Sequence, residues 1–373
     1  MKPLRICSAD PSFYDEYMEK LVEEASAGIS PAVARMASFV PRLDQIPPSD
    51  IPSAELTIAD ARWVYAREHG FATWEEFATF ISQVADGSRE EPFVEFIDAV
   101  ETGDADLAER HLERNPDLVR QVSSTHKSPL HSCSNAELAT LLLSRGAPVD
   151  LEVPLPGGTA LAHALVWGNL EVAEAIAAVS LAPANLRVAA GLGRPDLLRE
   201  MWLEDGTLAP QARTGRAYYR PNYGWFAWEP GDSDQEVLDE ALVYAATNGR
   251  LGAAYQLVGR GADVNGLAYE TRPLIRAAWK GHREMIDWLL DHGASVDATG
   301  WLGGHVKGGT ALHIAANNGN LAVVKQLARR GADVTLRDEL YGGQPDGWAD
   351  HHQHPEVRDF LRPIREAREE STS

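Results

Sequence analysis

GTALHIAANNGNLAVVKQLARRGADV, residues 309–334, reads as two short helices joined by a break. Thr310 has the side chain of an N-cap, and Leu312, Ala315 and Ala316 behind it form a narrow apolar stripe that a neighbouring helix can approach closely. Gly319 interrupts the chain. Leu321, Val323, Val324 and Leu327 then face inward along a second helix, and Gly331 suits the left-handed position that ends it, with Val334 leading into a turn. A pair of this kind leaves one apolar face uncovered, so it is stable only when stacked on another.

The same landmarks recur upstream. Gly249, Gly281 and Gly319 stand 32 and 38 residues apart, and the pairs Ala245-Ala246, Ala277-Ala278 and Ala315-Ala316 keep both intervals, as do Gly261, Gly293 and Gly331. Three landmarks moving in register identify one copied unit with a loop of variable length between copies.

SPLH at 128–131, TALA at 159–162, RPLI at 272–275 and TALH at 310–313 resemble the TPLH signature of ankyrin repeats. GAPVD, GADVN, GASVD and GADVT resemble the ends of such repeats. The resemblance covers roughly residues 93–361, with degenerate copies at 185–198 and 240–250, an opening cap at 93–112 and a closing cap at 344–361. It implies an all-α ankyrin-repeat solenoid of about seven repeats plus caps, built of paired helices with short hairpin loops. It also implies that His131 and His313 hydrogen-bond backbone between repeats, and that His354 is a structural histidine.

Three departures from the pattern are informative. The copy at 128–150 is three residues short between Ser128 and Gly146 when set beside Thr310 to Gly331, which shrinks its hairpin. Only 25 residues separate Gly168 from Gly193, so the usual hairpin there is nearly absent. Between Gly193 and Gly249 there are 56, which leaves roughly two dozen beyond a standard repeat. This insert carries Tyr218, Tyr219, Tyr223, Trp225, Phe226 and Trp228, and a smaller extension at 298–310 carries Trp301, His305 and Lys307.

The boundaries expected are an N-terminal helical segment with a Pro-rich linker (1–90), an ankyrin-repeat domain with an aromatic insert near 204–235 (91–362), and a frayed charged tail (363–373). In the N-terminal segment, Thr57 with Asp60 and Thr73 with Glu76 fit capping boxes, Gly70 fits the stop between two helices, and residues 41–56 read as a linker or an ordered strap. The tract resembles a segment found ahead of repeats in bacterial ankyrin proteins, which implies a bacterial source.

Composition bounds the function. With 34 Lys and Arg against 55 Asp and Glu, the net charge of −21 argues against nucleic acid and anionic membrane as partners. At 44 % hydrophobic residues the chain can bury a large core. Its two cysteines, Cys7 and Cys133, can form neither a disulfide framework nor a Cys-based zinc module, and no segment approaches the ~20 apolar residues of a membrane span. The expected setting is therefore the cytoplasm, with no cofactor.

By analogy with the family, the two positions after each alanine pair line the concave face. Here they include Trp167, Asn248, Trp279, Lys280, Asn317, Asn318, His351 and His352, a mixed aromatic and hydrogen-bonding surface of the kind that makes binding hot spots. Trp167 and Trp279 can alternatively fill gaps beside neighbouring loops. Tyr218, Trp225 and Phe226 in the insert and Trp301 in the extension complete the candidate binding set, the insert serving as a lid over the groove or as an outer patch. His351, His352 and His354 with His305 invite a metal reading, but no ligand triad accompanies them and surface histidines explain the cluster. The best acid–base candidates are His305 and Lys307 facing Tyr219 or Tyr223. The leading expectation is a module that binds a protein partner through the groove and insert. The alternative is an enzyme or sensor that uses them as a small-molecule pocket.

Overall fold

The computed structural model describes residues 3–151, 158–181, 184–216, 230–231, 233–301 and 307–372. These fall into two compact units: one takes residues up to 160 together with 174–180, the other residues 161–173 and 181–216 with the chain from 228 onward.

In the first unit, helices α1 (Pro11–Ser26), α2 (Ser30–Phe39), α3 (Ile58–Glu68) and α4 (Trp74–Ala85) surround a core that includes Tyr14, Met18, Met36, Val64 and Phe77. Helix α3 starts at the expected capping box, with Thr57 N donating to Asp60 Oδ2 at 2.8 Å. The proline-rich stretch is the ordered strap. Its Val40, Leu43 and Ile51 are buried in the same core, and Arg42 donates to both Asp60 oxygens at 2.7 and 2.6 Å.

The first repeats follow as α5 (Pro92–Thr102), α6 (Ala105–Arg114) and α7 (Ala136–Ser144). SPLH at 128–131 closes only a single turn, with His131 N donating to Ser128 O, in keeping with the shortened copy. That copy therefore lacks its first helix. Arg5 N donates to Val122 O at 2.8 Å, an isolated bridge between the chain ahead of α1 and the loop ahead of this copy.

Helices α8 (Ala160–Val166) and α9 (Leu170–Ala177) come next. The second unit then stacks pairs: α10 (Leu186–Leu192) with α11 (Pro195–Glu200), α12 (Asp234–Thr247) with α13 (Leu251–Val258), α14 (Pro273–Lys280) with α15 (Arg283–Asp291), α16 (Ala311–Asn317) with α17 (Leu321–Arg329), and α18 (Pro345–His351) with α19 (Pro355–Thr372). First helices meet first helices, α10 to α12 to α14 to α16 to α18, which is the stacking the alanine stripes allow. Leu312, Ala315, Val323, Val324 and Leu327 are all buried in one continuous core.

Two local results depart from expectation. The 298–310 extension begins and ends as an antiparallel ribbon, β1 (Gly300–Trp301) with β2 (Lys307–Gly309), a small β addition to an otherwise helical fold. The expected frayed tail is helical instead, because α19 continues through Pro363 to Thr372. Arg362 and Arg365 reach back to Asp346, and Arg368 lies 3.4 Å from Asp333.

Candidate functional site

Helix α8 ends against the first helices of later repeats, and its terminal carbonyls are taken by their side chains. Asn248 Nδ2 donates to Leu165 O at 2.8 Å and Arg276 Nη1 donates to Val166 O at 3.2 Å. These bonds satisfy carbonyls that a helix end leaves open. Gly168 follows in the left-handed region, φ +63°; a Cβ there would stand 2.5 Å from Lys280 Cε and 3.1 Å from Thr247 Cγ2. Glycine is thus favoured by backbone conformation, and a larger residue would also displace the end of Lys280.

This closure brings Trp167 onto Trp279, ring centroids 5.9 Å apart and planes at 69°. Lys280 Nζ lies 4.0 Å from the centre of the Trp279 ring and Arg276 Cζ 5.3 Å from it. Burial and the neighbouring Arg276 charge push the Lys280 ammonium down to about 8. Asn248 Oδ1 is buried without a hydrogen-bond partner among the described residues, its amide nitrogen being held by Leu165 O and Tyr244 O. Four of the expected groove residues, Trp167, Asn248, Trp279 and Lys280, therefore form one aromatic and cationic cluster.

The remaining candidates extend from it in sequence of repeats. Asn318 Nδ2 donates to Trp279 O at 3.0 Å, Asn317 Nδ2 to Asn318 Oδ1 at 3.0 Å, and the His354 ring bonds Asn317 O at 3.0 Å. His282 does the same one repeat earlier, to Thr247 O at 3.0 Å, a regularity the sequence reading did not use. His131 and His313 take the role the resemblance implies, bonding Gly158 O and Gly343 O at 3.2 Å each. Exposed His351 and His352 line a separate cleft at the closing repeat.

Tyr218, Tyr219, Tyr223, Trp225, Phe226 and His305 lie outside the described residues, and Trp301 and Lys307 are described for their backbone alone. Among the described residues no cluster of three or more His, Cys, Asp or Glu could hold a metal ion. No described helix is long and apolar enough to cross a membrane.

Sequence reasoning missed a buried ion network at the base of the insert. Arg187 donates to Glu240 Oε1 at 2.7 Å and to Tyr269 Oη at 2.9 Å; Tyr269 and Arg216 also bond Glu240. Arg216 further holds Gly231 O at 2.6 Å and Glu236 at 2.9 Å, tying the start of the insert to its end. The signal was present: Glu240 takes the place of the signature threonine and Arg187 that of the signature histidine, and a buried charge needs a partner. In the first unit, His69 Nε2 lies 2.8 Å from Ser124 Oγ, but both are buried and bonded onward to Tyr65 O, Tyr14 and Arg5 O, a structural arrangement.

Comparison with known proteins agrees with this architecture. The family described as "Ankyrin repeats (3 copies)" matches residues 227–300 and 242–338. The Caenorhabditis elegans "Ankyrin repeat and KH domain-containing protein mask-1" is 26 % identical over 225 residues, 59 % of this chain and 8 % of that protein. The Mus musculus "B-cell lymphoma 3 protein homolog" is 36 % identical over 114 residues, 29 % of this chain and 24 % of its own length. The chain thus matches only a minor part of these two proteins. These relatives are animal proteins and give no support to a bacterial source. The Homo sapiens "Cyclin-dependent kinase 4 inhibitor B" is 32 % identical over 124 residues, which cover 33 % of this chain and 86 % of that protein. With helix pairs stacked in register, the repeat signatures in place and a relative matched over nearly its whole length, the chain belongs to the ankyrin-repeat family.

Proposed function

We propose that this chain is a protein-binding module whose partner lies along the line of first helices in the second unit. The observation that carries this is the Trp167–Trp279 pair with Lys280 on the Trp279 ring: two half-buried indoles and a cation with no carboxylate partner among the described residues. Aromatic and cationic side chains in a partly desolvated setting are what binding energy concentrates on. The name of the human relative describes action on another protein, a kinase, and we carry over only that a protein is the target. Asn317 and Asn318 extend the same surface, and His351, His352, Trp301, Tyr218, Trp225 and Phe226 belong to this reading as further contacts. The chain's two cysteines, Cys7 and Cys133, form no disulfide, which suits a reducing compartment such as the cytoplasm.

Capture from a cell lysate on immobilised wild type, Trp167→Ala and Trp279→Ala tests it. A protein held by the wild type and lost from both variants is the expected result. A protein held equally by all three, or none held by any, overturns the reading.

A further inference from the structure

The closing repeat opens a cleft of about 610 Å³ lined by Tyr341, Gly343, Gly347, Trp348, His351 and His352. Its walls are rings. Trp348 and His352 lie parallel, centroids 5.7 Å apart and 5° between planes, and Tyr341 meets Trp348 edge to face at 5.6 Å. Trp348 is held in place because its indole Nε1 donates to Asp338 Oδ2 at 2.9 Å, whereas Tyr341 is 64 % exposed.

Gly347 sits inside α18, where glycine weakens a helix relative to alanine. A Cβ at Gly347 would meet no atom within 4 Å, so packing does not demand glycine there. What its absence of a side chain does is keep the cleft open.

The rings of this cleft differ in charge from four other indoles of the chain. Arg67 lies over Trp63, Arg62 over Trp74, Arg260 over Trp202 and Lys280 over Trp279, at 5.1, 5.5, 4.3 and 4.0 Å. Among the described residues neither Trp348 nor Tyr341 has such a cation, and no cleft residue bears a fixed charge. The chain's net charge of −21 meanwhile draws cations toward its surface.

We propose that this cleft receives an arginine side chain from a basic segment of a protein partner, its guanidinium laid against the Trp348 and Tyr341 rings. A planar guanidinium stacks on aromatic faces and is more weakly hydrated than an ammonium, which favours arginine over lysine. The assignment rests on the protein-binding reading above and supplies the chemistry of the partner.

The test uses the full chain and two probes, a capped glycine–arginine–glycine tripeptide and its citrulline counterpart, which keeps the shape and removes the charge. The reporter is the Trp348 indole N–H resonance, assigned with Trp348→Phe. The arginine probe is expected to shift it saturably, with the citrulline probe about fivefold weaker or worse. Gly347→Leu, whose Cβ would meet no atom within 4 Å and whose side chain occupies the cleft, is expected to abolish the response while leaving the fold intact. Equal binding of the two probes, an undiminished response in Gly347→Leu, or no saturable shift overturns the proposal. If a captured partner binds wild type and Gly347→Leu equally, the cleft assignment fails and the protein-binding reading stands. If no partner is captured but the probes behave as expected, the protein-binding reading fails and the arginine chemistry of the cleft stands.

Discussion

Trp167 and Trp279 belong to different repeats, and their rings meet edge to face with centroids 5.9 Å apart. Such a pair contributes about 0.5–1.5 kcal/mol beyond its buried area. Single and double alanine substitutions, followed by denaturant unfolding, are expected to show a coupling of that size. Strict additivity would mean that the rings are neighbours without interaction.

Leu312 is fully buried in the continuous core between first helices. Leu312→Ala is expected to destabilise the second unit by about 2–5 kcal/mol, measured as a fall in urea midpoint. A neutral outcome would contradict the stacking described here.

Glu240 is fully buried between Arg187, Arg216 and Tyr269. Removing the carboxylate takes the counter-charge from buried Arg187, while Arg216 keeps Glu236, so Glu240→Ala is expected to cost about 3–5 kcal/mol. Exposed Asp196, paired only with exposed Arg194, is the contrast: Asp196→Ala is expected to lie within the small range of surface pairs in the same unfolding experiment.

Burial pushes two histidines of the first unit, His69 and His131, down to about 4 from 6.5. Between those values the unfolded chain binds more protons than the folded one, so stability is full above about pH 6.5 and falls as the pH drops toward 4, by about 3 kcal/mol for each group. Glu68, held low against burial by the Arg35 charge, adds its own loss in stronger acid, in the same direction. Thermal unfolding followed between pH 7.5 and pH 4 is expected to show this decline. A flat profile would mean that these rings are solvated.

Burial raises the Cys133 thiol to about 11 and the Cys7 thiol to about 12. Both are expected to react slowly with a disulfide reagent at pH 8 in the native protein and at ordinary rates in denaturant, since only the thiolate attacks. Rapid native labelling of either would place it in a different environment.

The sequence by itself determined the repeat. Alanine pairs, glycines at fixed intervals and capping residues such as Thr57 and Thr310 act within a turn or two of chain, so their reading needs no knowledge of distant neighbours. It also pointed to the role of the repeat histidines, because His131 and His313 stand at the same place in their copies and bond the backbone ahead of the next one. What it left open was decided by contacts between repeats. Whether residues 41–56 formed a linker or a strap depended on Arg42 finding Asp60 and on Ile51 finding the α1–α3 core. Whether the tail frayed depended on Arg365 finding Asp346. Trp167 joins Trp279, and Glu240 gathers two arginines, only because stacking carries side chains from separate copies to the same place. Periodicity records which face a residue turns inward; which distant residue it meets there is fixed by the geometry of the stack.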